Sequence, residues 1–171
     1  MQRFENKITM QLPEKYILFV GSRYSYKNFN RFIEAFSLLA QKDSKLYLIC
    51  TGNKFSQGEE DKLSKLHIKN KTLQINASDK ELSELYTRAS LFVFPSLYEG
   101  FGIPILEAYA CHCPIAISNT SCFPEIAGDA AIYFDPYSVK DIANTIEAII
   151  YNPQKANELI QKGIKRLELY S

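Results

Sequence analysis

Residues 91–107 read LFVFPSLYEGFGIPILE, and this stretch decides the fold. Leu91-Phe92-Val93-Phe94 is an apolar run without polar alternation, the pattern of a strand covered on both faces. Pro95 stops the run, Gly100 and Gly102 loosen the loop that follows, and Pro104 suits the first turn of a helix reaching about Cys111. A buried strand passing through a glycine loop into a helix is the repeating unit of a parallel sheet.

The same unit recurs on either side. Tyr16-Ile17-Leu18-Phe19-Val20 is an apolar run ending at Gly21. From Asn28 onward, Phe29, Phe32, Ile33, Phe36, Leu39 and Ala40 recur three and four apart, which puts them on one stripe of a helix. Further strands are predicted over 46–50, 72–75, 115–117 and 131–134. Helices are predicted over 60–69, after the capping-box pattern Ser78-Asp79-Lys80-Glu81, in a short turn at 124–126, through Val139 to Ile150, and over 154–169. The alternation predicts an α/β protein with a doubly wound, open parallel sheet of about six strands, Rossmann-like in form. A closed eight-fold barrel needs about 250 residues. Residues 1–15 read as an irregular lead-in, and the domain proper is expected over 16–171.

Composition narrows the function. The chain has 171 residues, 20 Lys plus Arg against 19 Asp plus Glu, and a formal charge of +1. That balance lacks the basic excess a nucleic-acid partner demands. No apolar run reaches the length of a membrane span, and no charged n-region precedes an apolar h-region near the start. A cytoplasmic protein with reduced thiols is expected from the four cysteines. Cys111-His112-Cys113 offers zinc-type atoms without tetrahedral spacing or a fourth ligand, so no metal is expected.

Open parallel sheets bind ligands beyond the carboxyl ends of their strands. The loop Gly21-Ser22-Arg23-Tyr24-Ser25-Tyr26-Lys27-Asn28 brings two cations, Arg23 and Lys27, to that end. Neither the dinucleotide fingerprint G-x-G-x-x-G nor a P-loop is present. In the second loop, Gly100 and Gly102 let backbone approach a ligand closely. The first amides of the following helix, near Ile103 to Leu106, suit an anionic diphosphate. Glu99 and Glu107 can border the same crevice. A helix end gives an anion only about 0.3 to 2 kcal/mol, whereas millimolar binding already needs about 4. Charge-assisted bonds from Lys27 and Arg23, and a carboxylate accepting sugar hydroxyls, are needed as well.

Taken together, Phe19-Val20-Gly21 with Lys27-Asn28, Pro95 through Glu107 with its E-x7-E, and Pro124-Glu125 resemble the retaining glycosyltransferases of group 1, or family 4. The likeness is to their carboxy-terminal, donor-binding domain, one half of the two-domain GT-B fold, and covers roughly Tyr16 to Ser171. The resemblance implies that Lys27 binds the donor diphosphate, that Glu99 lies by the donor sugar, and that Glu107 receives the ribose hydroxyls. It implies sugar contacts from backbone at Gly100, Phe101 and Gly102. It also implies phosphate contacts near Ile103, Ile105 and Leu106, and a base flanked by the loop at Asn76. Many members carry an arginine directly after the first glycine; here Ser22 stands there and Arg23 follows. The Lys-Asn variant is frequent in mannosyltransferase-like members and favours a GDP-sugar over a UDP-sugar.

The implied reaction moves a hexose, mannose-like by preference, from a nucleoside diphosphate sugar to a hydroxyl of a glycan or lipid-linked glycan. It belongs to polysaccharide or glycoconjugate synthesis. The nucleotide sugar is a substrate, and no cofactor is expected. The family enzyme also needs an amino-terminal acceptor domain, for which this length has no room. Donor binding with almost no transfer is therefore expected, and any membrane contact is expected through that other domain. Two alternatives stay open: a nucleotide-sugar epimerase or phosphorylase relative, and a noncatalytic nucleotide-binding module.

Overall fold

The computed structural model describes residues 10–170. Six strands form one all-parallel sheet: β1 (Tyr16–Phe19), β2 (Tyr47–Thr51), β3 (Thr72–Ile75), β4 (Leu91–Phe94), β5 (Ile115–Ser118) and β6 (Ile132–Phe134). Their order is β3-β2-β1-β4-β5-β6, the doubly wound arrangement expected from the sequence. Helices α1 (Phe29–Ala40), α2 (Gln57–Lys65), α3 (Asp79–Arg88), α4 (Ile103–Ala110), α5 (Phe123–Ala127), α6 (Val139–Ile150) and α7 (Pro153–Leu167) cover both faces. Among the described residues, no helix is long and apolar enough to cross a membrane.

Strand alternation builds two cores. Ile17, Phe19, Leu91 and Val93 point into the layer that holds α1 and α6. Tyr16, Leu18, Phe92 and Phe94 point into the opposite layer, with Ile105, Ala108 and Phe123 from α4 and α5. Both sets are buried, which is why these strands carry no polar alternation. Gly163 of α7 lies against the Tyr109 ring, where an added Cβ would stand 2.5 Å from Cδ1. Glycine is required there for the close approach of α7 to α4.

Helix boundaries show what local chemistry decides. The Ser78 and Glu81 capping box starts α3 as its pattern predicts. A second capping box, Ser56 with Glu59, starts α2 at Gln57 rather than near Glu60. That helix also stops short of residue 69, and His67 then takes a left-handed φ of 59°. Residues 10–15 form no helix or strand, but Met10 and Leu12 pack on the second core, and the Met10 carbonyl accepts from Arg88 at 2.9 Å. Residues 1–9 of the expected lead-in lie outside the described residues.

The strand order reverses between β1 and β4, the topological switch point where such sheets bind ligands. These two strands are in register only at Ile17↔Leu91 and Leu18↔Phe92, whereas β1 and β2 match at four positions.

Candidate active site

The loops after β1 and β4 are joined at several points. Asn28 is buried in left-handed backbone (φ 61°) where a 3-10 turn, Ser25–Lys27, meets α1. Its Nδ2 donates to the carbonyls of Pro95 (3.0 Å) and Pro136 (2.7 Å), while Oδ1 accepts from Arg31. The Leu97 amide donates to the Tyr26 carbonyl at 2.8 Å. With its polar atoms satisfied, buried Asn28 fixes the residue before it, Lys27, against the second loop.

Lys27 points inward and makes an ion pair with Oε1 of Glu99. Both side chains are largely shielded, at 14% and 15% exposed. The Ser96 hydroxyl donates to the same carboxylate oxygen at 3.0 Å. From the other side Ser121, in the loop after β5, accepts from the Glu99 amide (3.3 Å) and donates to the Glu99 carbonyl (2.9 Å). Glu99 is thus held through its side chain by Lys27 and Ser96 and through its backbone by Ser121; of these three, the sequence pattern singles out only Lys27.

Gly102 caps α4 at φ 84°. A Cβ there would meet Ile105 Cδ1 at 3.1 Å and Ile126 Cδ1 at 3.4 Å, so this turn requires glycine on both conformational and spatial grounds. The Ile105 amide bonds back to the Gly102 carbonyl, and the Ile105 side chain is buried. Among the described residues, the amides of Gly100, Phe101, Gly102 and Ile103 make no hydrogen bond. The start of α4 therefore presents unpaired donors beside Lys27 and Glu99, an arrangement suited to an anion. Phe101 and Ile103 are exposed at this rim.

One turn into α4, Glu107 Oε2 accepts a 3.0 Å hydrogen bond from the phenol of Tyr86. Tyr86 is buried, with its ring set edge-on against Phe92. Burial, reinforced by the Glu107 carboxylate, pushes its hydroxyl far above the ordinary tyrosine range, so it serves as a fixed donor. Tyr86 lies on the buried face of α3, and nothing local in the sequence marks its partner.

Arg23 is engaged elsewhere. Its side chain is 5% exposed and donates to Glu59 (2.6 Å) and to the carbonyls of Thr51 (3.2 Å), Asn53 (2.5 Å) and Lys54 (3.1 Å). It also lies 4.7 Å from the centroid of the Phe55 ring. Burial raises the Glu59 carboxyl, but the Arg23 and Ser56 hydrogen bonds outweigh it and hold the group below its ordinary value. Asn76 is exposed immediately after β3, at the same end of the sheet but two strands away from β1.

The chain has clear relatives in sequence and fold. The family model described as "Glycosyl transferases group 1" matches residues 1–166, and the chain belongs to that family. The O-antigen chain mannosyltransferase B of Escherichia coli is 36% identical over 163 residues, covering 91% of this chain and 42% of that protein. The O-antigen chain mannosyltransferase RfbU of Salmonella typhimurium is 31% identical over 137 residues, covering 80% of this chain and 38% of that protein. The chain spans less than half the length of either. Among solved structures, the C-terminal domain of the glycosyl transferase group 1 family protein LpcC from Francisella tularensis shares the fold. Its TM-score is 0.78 at 23% identity, over 91% of this chain and 84% of that one. The six-stranded parallel sheet is the Rossmann-like architecture of GT-B glycosyltransferases.

Proposed function

We propose that this chain is the donor-binding part of a retaining, family 4 hexosyltransferase that transfers mannose from a GDP-sugar to a hydroxyl of a glycan or lipid-linked glycan. One observation carries the reading: Lys27 and Glu99 meet beside the unpaired amides at the start of α4. An ammonium with convergent amides suits the diphosphate, and a carboxylate next to them suits the sugar's hydroxyls. The O-antigen mannosyltransferases among the relatives support the preference for mannose and for polysaccharide synthesis.

In this mechanism the bond between the sugar's anomeric carbon and the diphosphate breaks, and negative charge grows on the departing diphosphate. Lys27 and the α4 amides lie where they stabilise that charge without reorganising, which is electrostatic catalysis by fixed donors. Glu107, oriented by Tyr86, receives the ribose hydroxyls. The nucleotide sugar is a substrate, and the reading invokes no cofactor. It places the protein in the cytoplasm, with membrane and most acceptor contacts made by another domain of the enzyme.

Calorimetric titration with GDP, UDP, ADP and their sugars tests this. GDP and GDP-mannose should bind most tightly. Failure of all three diphosphates to bind would overturn the donor reading, and a preference for UDP would overturn its nucleotide assignment.

A further inference from the structure

A second feature at this end of the sheet is not used by the donor chemistry. A hollow of about 770 Å3 opens between the loop after β1 and the starts of α1 and α2, lined in part by Ser22, Tyr24, Ser25, Asn30, Glu34 and Asn53. Its volume falls within the range of small-molecule sites. Tyr24 is 67% exposed and Tyr26 42% exposed. Their rings are 19° from parallel, with centroids 6.3 Å apart. Lys27 Nζ lies 5.3 Å from the centroid of the Tyr26 ring. The two rings thus run as a track from the hollow to the Lys27 and Glu99 pair, and the Leu97 amide pins Tyr26 to the loop that carries Glu99.

The chemistry of this track selects its ligand. Exposed tyrosines supply rigid, amphipathic contact area at low entropic cost. Their faces pack against the C–H faces of pyranose rings, while their hydroxyls and the neighbouring Ser and Asn side chains exchange hydrogen bonds with sugar hydroxyls. Glu34 is paired with Lys62, and Glu59 with Arg23; Arg31, which donates to Asn28 Oδ1 and lies over the Tyr137 ring, and Lys54 also line the hollow, and their N–H groups are further donors to the hydroxyls of a polyhydroxylated ligand. We propose that Tyr24, Tyr26 and the adjoining hollow form a glycan subsite, which holds the acceptor chain beyond the sugar that reacts at Lys27 and Glu99. Its role as an acceptor subsite rests on the donor reading above; its affinity for glycans does not.

The test is an amide NMR titration of the whole chain with an α-linked mannotetraose, alongside a separate titration with GDP. Mannotetraose should give saturable shifts at Tyr24, Ser25 and Asn30, with an affinity on the order of millimolar. Tyr24→Ala, at an exposed position, should weaken it about fivefold or more while the separately measured GDP affinity stays as it was. The proposal is overturned by an absence of saturable shifts, by shifts confined to residues 99–107, by undiminished binding in Tyr24→Ala, or by Tyr24-dependent self-association in sedimentation. If GDP fails and mannotetraose binds at Tyr24, the glycan site stands and the donor reading falls. If GDP binds and mannotetraose fails, only the subsite falls.

Discussion

Tyr86 and Glu107 lie 21 residues apart and meet through a 3.0 Å hydrogen bond, with the phenol donating to Oε2 of the carboxylate. The contact joins α3 to α4 and fixes one oxygen of Glu107. In the donor reading, the other oxygen is then aimed at the ribose. Tyr86→Phe keeps the ring packing and removes only the donor. A hydrogen bond to a charged group is worth about 1.5–3 kcal/mol, so GDP affinity should fall on the order of tenfold, whereas a dideoxyribose analogue should lose little. Equal losses for both ligands, measured by calorimetry, would mean that the phenol serves packing alone.

Lys27→Ala removes the ammonium beside the open amides of α4. Affinity for nucleoside diphosphates should drop about 10- to 100-fold, the scale of a charge-assisted bond, with little change for the nucleoside. A comparable loss for nucleoside and diphosphate would reject the phosphate role.

Arg23 is shared between Glu59 and three backbone carbonyls, an arrangement that ties the loop after β1 to the loop after β2. Arg23→Met keeps much of the packing against Phe55 but leaves Glu59 without its cation. Urea unfolding should show a loss of about 1–3 kcal/mol, below the cost of breaking a fully buried pair because Glu59 keeps some solvent. GDP affinity should change little. Unchanged stability with lost GDP binding would instead place Arg23 on the diphosphate.

The acid response should be traceable to Asp43. Hydrogen bonds from Lys15 and then Tyr151, both at 2.6 Å, lower its carboxyl to about 2. An unfolded aspartate titrates near about 3.9, so on acidification the unfolded chain takes up this proton first. The contribution is complete above about pH 4 and is lost as pH falls toward about 2. Asp43→Asn should lower the melting temperature near neutrality and flatten its decline over that window. Parallel melting curves for the two proteins would show that Asp43 contributes no such dependence.

Much of the architecture was legible because it depends on local pattern. Four-residue apolar runs marked the strands to within about a residue, and Ser78 with Glu81 marked the start of α3. Of the candidate site, the two loops whose residues Lys27 and Glu99 meet were legible because each leaves the end of a buried strand. What escaped depends on long-range pairing. Arg23 reads as a loop cation until Glu59, 36 residues away, takes its guanidinium. Asn28 reads as a helix start, although its amide joins two distant loops. Ser121 shows no pattern of its own, yet it grips both polar backbone atoms of Glu99.

The short register between β1 and β4 has a mechanical consequence. It falls at the middle of the sheet, with three strands on either side, and Lys27 and Glu99 reach that line from opposite halves. A ligand gripping both would act as a rivet, and the resistance of the occupied protein to unfolding should grow with the logarithm of the ratio of ligand concentration to dissociation constant.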